Sequence, residues 1–153
     1  MEEKAKKVLQ RFEASCAKRE YCRSEVMDKA LKALEGDRSA ALEIVESLVR
    51  DKYVDDLRYA SAYAREKASI SGWGPVKIRF MLSGKGISKE TADAALEEID
   101  PERAGSRMDK VLAAKWKTLE GDPQARLKLL KFALSRGYEY DDVRDAVDRI
   151  CRG

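Results

Sequence analysis

The sequence predicts an all-α protein of three tandem three-helix repeats, about nine helices stacked into an elongated, curved array. Apolar residues recur at helical spacing along nearly the whole chain, and no segment alternates with period two over a useful length, as a half-buried strand would. Laid on itself at an offset of 51, the sequence aligns apolar residues in six columns: Leu48, Ile99 and Ile150; Val45, Leu96 and Val147; Ile44, Ala95 and Ala146; Ala41, Ala92 and Val143; Met27, Ile78 and Leu129; Leu31, Leu82 and Ala133. The 153 residues hold three such lengths, so the expected repeats are 1–51, 52–102 and 103–153. A three-helix unit rarely buries its apolar faces alone, so neighbours stack on one another. Ile99 and Ile150 are accordingly expected in the core.

Punctuation sets the helix boundaries. The first unit reads as helices at 3–19, 23–35 and 39–51. Asp55 and Asp56 open the second unit at 55–70, offering a capping oxygen and a charge that suits the positive end of the helix dipole. Gly72-Trp73-Gly74-Pro75 closes that helix and starts the next at 75–84, with proline at the first helical position, where its missing N–H costs nothing. Gly86 then supplies a left-handed C-cap before the helix at 89–99. The third unit reads as 104–120, 123–136 and 140–151, with Asp122-Pro123 repeating the proline device and Gly137 the glycine cap. Ile87 and Tyr138 follow those caps and are expected to pack on them.

Composition narrows the function. The chain is 44% apolar and 39% charged, with a mean hydropathy of -0.56, which fits a soluble fold with heavily charged faces. No apolar stretch approaches the roughly 20 residues a bilayer needs, and Met1-Glu2-Glu3-Lys4 lacks a signal peptide's apolar run. A cytoplasmic location is expected, with no membrane contact. Cys16, Cys22 and Cys151 are odd in number and lie outside C-x-x-C spacing, so they read as reduced and mostly buried thiols. There is no histidine, which excludes Ser-His-Asp triads, Cys-His dyads and histidine metal ligands. Neither a phosphate-binding G-x-x-x-x-G-K-[ST] loop nor a dinucleotide fingerprint occurs. No catalytic, cofactor-binding or metal-ligating constellation is therefore assigned.

Charge placement says more than the net charge of +3. Residues 57–89 carry seven basic groups against one acid, and residues 90–102 carry six acids and no base. Residues 103–136 carry nine basic groups against three acids, and 137–153 three against five, while 1–51 balance at eleven each. In the second and third units the first two helices are basic and the third is acidic. Solvated faces are one explanation, since charged surfaces are ordinary in helical proteins. A basic stripe that displaces phosphate counterions without reading sequence is the other.

Tyr53-Val54-Asp55-Asp56-Leu57-Arg58-Tyr59-Ala60, Gly72-Trp73-Gly74-Pro75-Val76-Lys77-Ile78, Leu82, Lys85-Gly86-Ile87 and Ala94-Ala95-Leu96 resemble, in order and spacing, the central signature of the RecX family of recombination regulators. Arg23-Ser24-Glu25-Val26 and Leu31 resemble the family's N-terminal pattern. Tyr59 stands where the family usually has phenylalanine, and the first unit lacks the lysine-glycine-isoleucine turn. The resemblance implies a nine-helix protein, not an enzyme, that binds the RecA recombinase filament on single-stranded DNA and modulates, usually negatively, its ATP hydrolysis, coprotease action and strand exchange. The expected partners are the RecA filament and single-stranded DNA, reached through the filament or weakly alone, and the chain is expected to be a monomer.

A signature need not be a binding surface. Asp55 and Asp56 read as cap and dipole partner, Gly74, Pro75 and Gly86 as geometric, and Trp73 as a buried indole closing two helices, with an exposed interface anchor as its alternative. The basic stripe supplies the contact candidates: Arg65, Lys67, Lys77, Arg79 and Lys85 in the second unit, and Lys115, Lys117, Lys128 and Lys131 in the third. A DNA-binding protein acting without RecA is the second reading, since three-helix units can present helix-turn-helix geometry. A helical enzyme is the third, with no residues to assign to it.

Overall fold

Local punctuation becomes nine α-helices and no strand in the computed structural model, which describes residues 1–153. The first unit holds α1 (Glu3–Lys18), α2 (Arg23–Ala33) and α3 (Arg38–Arg50); the second, α4 (Asp56–Ser69), α5 (Pro75–Gly84) and α6 (Lys89–Glu97); the third, α7 (Pro101–Thr118), α8 (Ala125–Ser135) and α9 (Tyr140–Arg152). Side-chain caps set several starts: Asp37, Asp55 and Ser88 accept from the backbone N–H of Ala40, Arg58 and Thr91. No helix is long and apolar enough to cross a membrane.

The proline device operates at Pro75 and Pro101, not at Pro123. Asp100 accepts from the amide of Glu102 (3.2 Å) and Pro101 opens α7, three residues before the expected start. Asp122 instead accepts from the amide of Gln124 (2.8 Å), which holds Pro123 in a turn and delays α8 to Ala125. An aspartate before proline supports either outcome, because the same carboxylate can cap a helix or close an Asx turn.

Buried side chains form three clusters. The first includes Val8, Val26, Ile44 and Leu48; the second Tyr59, Ile78, Leu82 and Ala92; the third Leu112, Leu129, Val143 and Val147. Cys22, at the N-cap of α2, is fully buried in the second cluster. The columns Ala41/Ala92/Val143 and Ile44/Ala95/Ala146 are buried in all three units. Two columns do not hold in the first: Met27 and Leu31 are half-buried, while Val26 and Ala30 take the core positions matching Ile78 and Leu82. The α2–α3 turn has the same four residues as its counterparts but a different backbone path. There Glu35 (φ 54) and Gly36 (φ 85) are both left-handed, against Gly86 alone (φ 75) and Gly137 alone (φ 89) in the later units. Ile99 and Ile150 are not core residues either. They are half-buried and pack on the rims of their clusters, whereas Leu48 is fully buried.

Polar contacts join the units in series. Asp56 accepts from the amide of Arg23 (2.8 Å), so its carboxylate serves the N-terminus of α2 in the neighbouring unit as well as the dipole of its own helix. Ser24 donates to the carbonyl of Lys85 (2.5 Å). Arg58 reaches Glu20 (2.6 Å) and the carbonyls of Lys52 and Tyr53 (3.1 and 3.2 Å), and the Glu20 carboxylate holds its guanidinium pKa above the usual value. Between the second and third units, Gly74 and Val76 donate their amides to the carbonyls of Arg136 and Gly137 (2.8 and 2.9 Å). The buried Tyr138 hydroxyl donates to the carbonyl of Gly72 (2.7 Å).

Candidate functional site

On α4, Tyr59, Tyr63 and Lys67 follow one another at i, i+4 and i+8, which places them on one helix face. The Tyr59 and Tyr63 rings stack with centroids 6.1 Å apart. Gly72, left-handed at φ 69, ends the α4 segment and turns Trp73 back onto that face, where its ring meets Tyr63 edge-on at 6.4 Å. Trp73 is therefore half-buried as part of an aromatic ladder, not an enclosed indole.

Three basic candidates converge on this ladder. The Lys67 ammonium lies 4.9 Å from the centre of Trp73 and 5.5 Å from Tyr63. Lys77, one turn into α5, lies 4.4 Å from Trp73. Lys85, just past the end of α5, lies 5.8 Å from Tyr63 and 6.0 Å from Tyr59. Each half-exposed ammonium over a ring face contributes roughly 0.5–1 kcal/mol, and none of the three is tied to a carboxylate in an ion pair. Burial, reinforced by Glu25 and Cys22, pushes the Tyr59 phenol up to about 12. Burial also raises Tyr63, with Lys85 opposing. Both phenols stay neutral at physiological pH and leave the three positive charges uncompensated.

The remaining candidates are dispersed or already paired. Arg79 is bound to Asp93 on α6 (2.9 Å) and Lys128 to Asp122 (2.5 Å), so neither presents a free charge. Arg65 is exposed, 3.9 Å from Glu98. Lys115 lies 5.2 Å from the centre of the Phe132 ring. Lys117 and Lys131 are exposed and make neither ion pair nor ring contact. The candidates left out Arg136, which also lies 5.2 Å from Phe132 and donates to the carbonyl of Ser71 (3.2 Å). Its signal was the column it shares with Lys85 at offset 51. Tyr63 was missed because a tyrosine at helical spacing reads as core.

Ammonium groups over the half-exposed rings of Tyr63 and Trp73, backed by the buried Tyr59, suit a single-stranded polyanion, since phosphates can engage the charges while a base displaces a lysine from a ring face. An acidic protein surface satisfies the same charges without stacking. The signature residues support this arrangement rather than forming it. Asp55 caps α4 (3.0 Å to the Arg58 amide), Pro75 opens α5, Gly86 turns the chain so that Lys85 faces the ladder, and Gly74 lies against the Gly137 backbone.

Comparison with known proteins places the same segment at the centre of a family. A family model described as RecX, second three-helix domain, matches residues 55–96, which run from the cap of α4 through nearly all of α6. The regulatory protein RecX of Chromohalobacter salexigens is 33% identical over 132 residues, covering 86% of this chain and 84% of that protein. The regulatory protein RecX of Clostridium tetani is 26% identical over 118 residues, 74% of this chain, and the match spans about half of that longer relative (54%). A crystal structure of RecX from Lactobacillus salivarius shares the fold with a TM-score of 0.84 at 22% identity, covering 98% of both chains.

Proposed function

The chain belongs to the RecX family, and on that premise we propose that it is a regulator that binds the RecA recombinase filament on single-stranded DNA and inhibits RecA's ATP hydrolysis, coprotease action and strand exchange. The observation that carries this reading is the similarity to a regulatory protein RecX across 86% of the chain. The units 1–51, 52–102 and 103–153 act as one binding body in the cytoplasm, where the filament forms. The ladder of Tyr59, Tyr63 and Trp73 with Lys67, Lys77 and Lys85 is its contact with the filament, reaching the DNA strand or an acidic RecA surface. Neither Cys16 nor Cys22 is prepared as a nucleophile, since burial raises the pKa of both, away from the thiolate such a role needs.

A second reading, DNA binding without RecA, is favoured by the ladder itself, because base stacking on aromatic rings needs no protein partner. Titrating the protein into RecA's DNA-dependent ATP hydrolysis tests the first reading. We expect the rate to fall, with binding to the filament much tighter than to single-stranded DNA alone. An unchanged rate, together with equal affinity for bare and RecA-coated DNA, overturns it in favour of the second.

A further inference from the structure

The trough where the second and third units meet shares only Trp73 with the contact proposed above. It holds about 410 Å³. Its apolar lining comes from Trp73, Ile99, Pro101 and Met108, and its acidic wall from Glu139 at the N-cap of α9 and from Asp142 and Asp145 one turn apart on that helix. Glu139 and Asp142 make no ion pair, Asp145 meets only Arg144 (3.6 Å), and Arg149, the one basic residue of the lining, is turned to Asp109 (3.1 Å). Carboxylates beside an apolar lining repel phosphate, so this is no second nucleic-acid site.

Gly105 supplies an independent observation. It lies inside α7 (Pro101–Thr118) and lines the trough. Glycine within a helix is less favourable than alanine, yet a Cβ added there would meet no atom within 4 Å, and its φ is not left-handed. Nothing inside the chain calls for a glycine at this position. The helix surface over Gly105 is bare and open to a partner's side chain.

We infer that this trough is a docking groove for a basic, apolar-anchored segment of a protein partner, which seats an apolar side chain over Gly105 and aims lysine or arginine at Glu139, Asp142 and Asp145. Apolar anchors give such a groove its affinity, and the surrounding charges select the partner and speed its arrival. The inference rests on the proposed function for the partner's identity, the RecA filament, and on the groove's own chemistry for the class of segment.

Two variants of the full chain test it: Gly105→Leu, which fills the groove, and Asp142→Lys with Asp145→Lys, which inverts its wall. The probes are a synthetic helical peptide with leucine anchors flanked by lysines, the RecA filament on single-stranded DNA, and that DNA alone. Replacing a helical glycine by leucine in open space should leave the melting temperature unchanged or higher, so lost binding will not be lost folding. We expect each variant to bind peptide and filament at least tenfold more weakly than the parent, with affinity for bare DNA unchanged. If the parent binds the filament and both variants bind it equally well, the groove inference falls and the proposed function stands. Should the parent bind the peptide in a Gly105-dependent way but ignore the filament, the proposed function falls and the groove stands. A parent dimer that Gly105→Leu dissolves would make the groove a self-contact and also overturn the inference.

Discussion

Gly74 and Gly137 meet backbone to backbone: a Cβ built on Gly74 would fall 2.5 Å from Tyr138 Cα, and one built on Gly137 would fall 2.5 Å from the Lys77 nitrogen. This approach lets the amides of Gly74 and Val76 bond the end of α8. The linker before α5 thereby becomes the seam between the second and third units. Gly74→Ala should cost about 1–3 kcal/mol through overpacking. Gly137→Ala should cost a further 1–2 kcal/mol or so, because its φ of 89 is left-handed. Urea denaturation checks both, and the expected signature is a third unit that unfolds at lower denaturant than the rest. A single transition unshifted from the parent would show that the seam contributes nothing.

Trp73→Ala should be milder than loss of a fully buried tryptophan. Removing an enclosed aromatic side chain costs about 3–5 kcal/mol, but Trp73 is half-buried and leans on Tyr63 and two lysines. We expect a loss of roughly 2 kcal/mol, within the lower range for cavity-forming changes, together with weaker filament binding. Thermal melts and filament titrations on the same samples separate the two effects. A loss as large as that of an enclosed ring, with binding intact, would make Trp73 a folding residue only.

Much of the fold was legible because its determinants are local. Asp55, Gly86 and Gly137 fix helix ends through a side chain or their own φ, and such signals are complete within four residues of sequence. The seam at Gly74 was not legible, since its partner lies far along the chain and close backbone approach leaves no trace but the glycine. The slip of α2 against the repeat stayed hidden for a related reason: Met27 and Leu31 are as apolar as Val26 and Ala30, so pattern alone does not choose the register. At the site, counting found Lys67, Lys77 and Lys85 but also Arg79 and Lys128, which pair with Asp93 and Asp122. Which charges are spent inside the molecule depends on helix packing, and composition does not carry it.

Tyr59 makes stability depend on pH at the alkaline end. Its phenol is pushed up to about 12 from an ordinary 10 by burial and by neighbouring Glu25 and Cys22, so the folded protein favours the neutral ring more than the unfolded chain does. That contribution is complete below pH 10 and is lost as pH rises through the folded value near 12. Tyr63 and Tyr138 are raised in the same direction, chiefly by burial. Denaturant midpoints should fall between about pH 10 and 12, and Tyr59→Phe should flatten that fall while leaving neutral-pH stability nearly unchanged. An identical alkaline decline in Tyr59→Phe would assign it to the other tyrosines.

Charge reversal at Lys67, Lys77 and Lys85 is the sharpest test of the ladder. All three ammoniums lie within 6.0 Å of a ring centre in the same cluster, and none is held by a carboxylate, so their loss removes charge without orphaning a partner. Surface substitutions of this kind usually change stability by about 0.5 kcal/mol or less, to which the lost ring contacts add roughly 0.5–1 kcal/mol each; the triple variant should remain folded. If the three contact phosphates of a single strand, the slope of log affinity against log salt should flatten by about 2, since each contact contributes roughly 0.7. Inhibition of RecA's ATP hydrolysis should disappear at moderate salt. Arg79→Glu is the matched control: it breaks the pair with Asp93 and should lower stability while leaving the salt slope as it was. Full inhibition by the triple variant, or an Arg79→Glu protein that loses slope while the triple variant keeps it, would move the filament contact away from the ladder.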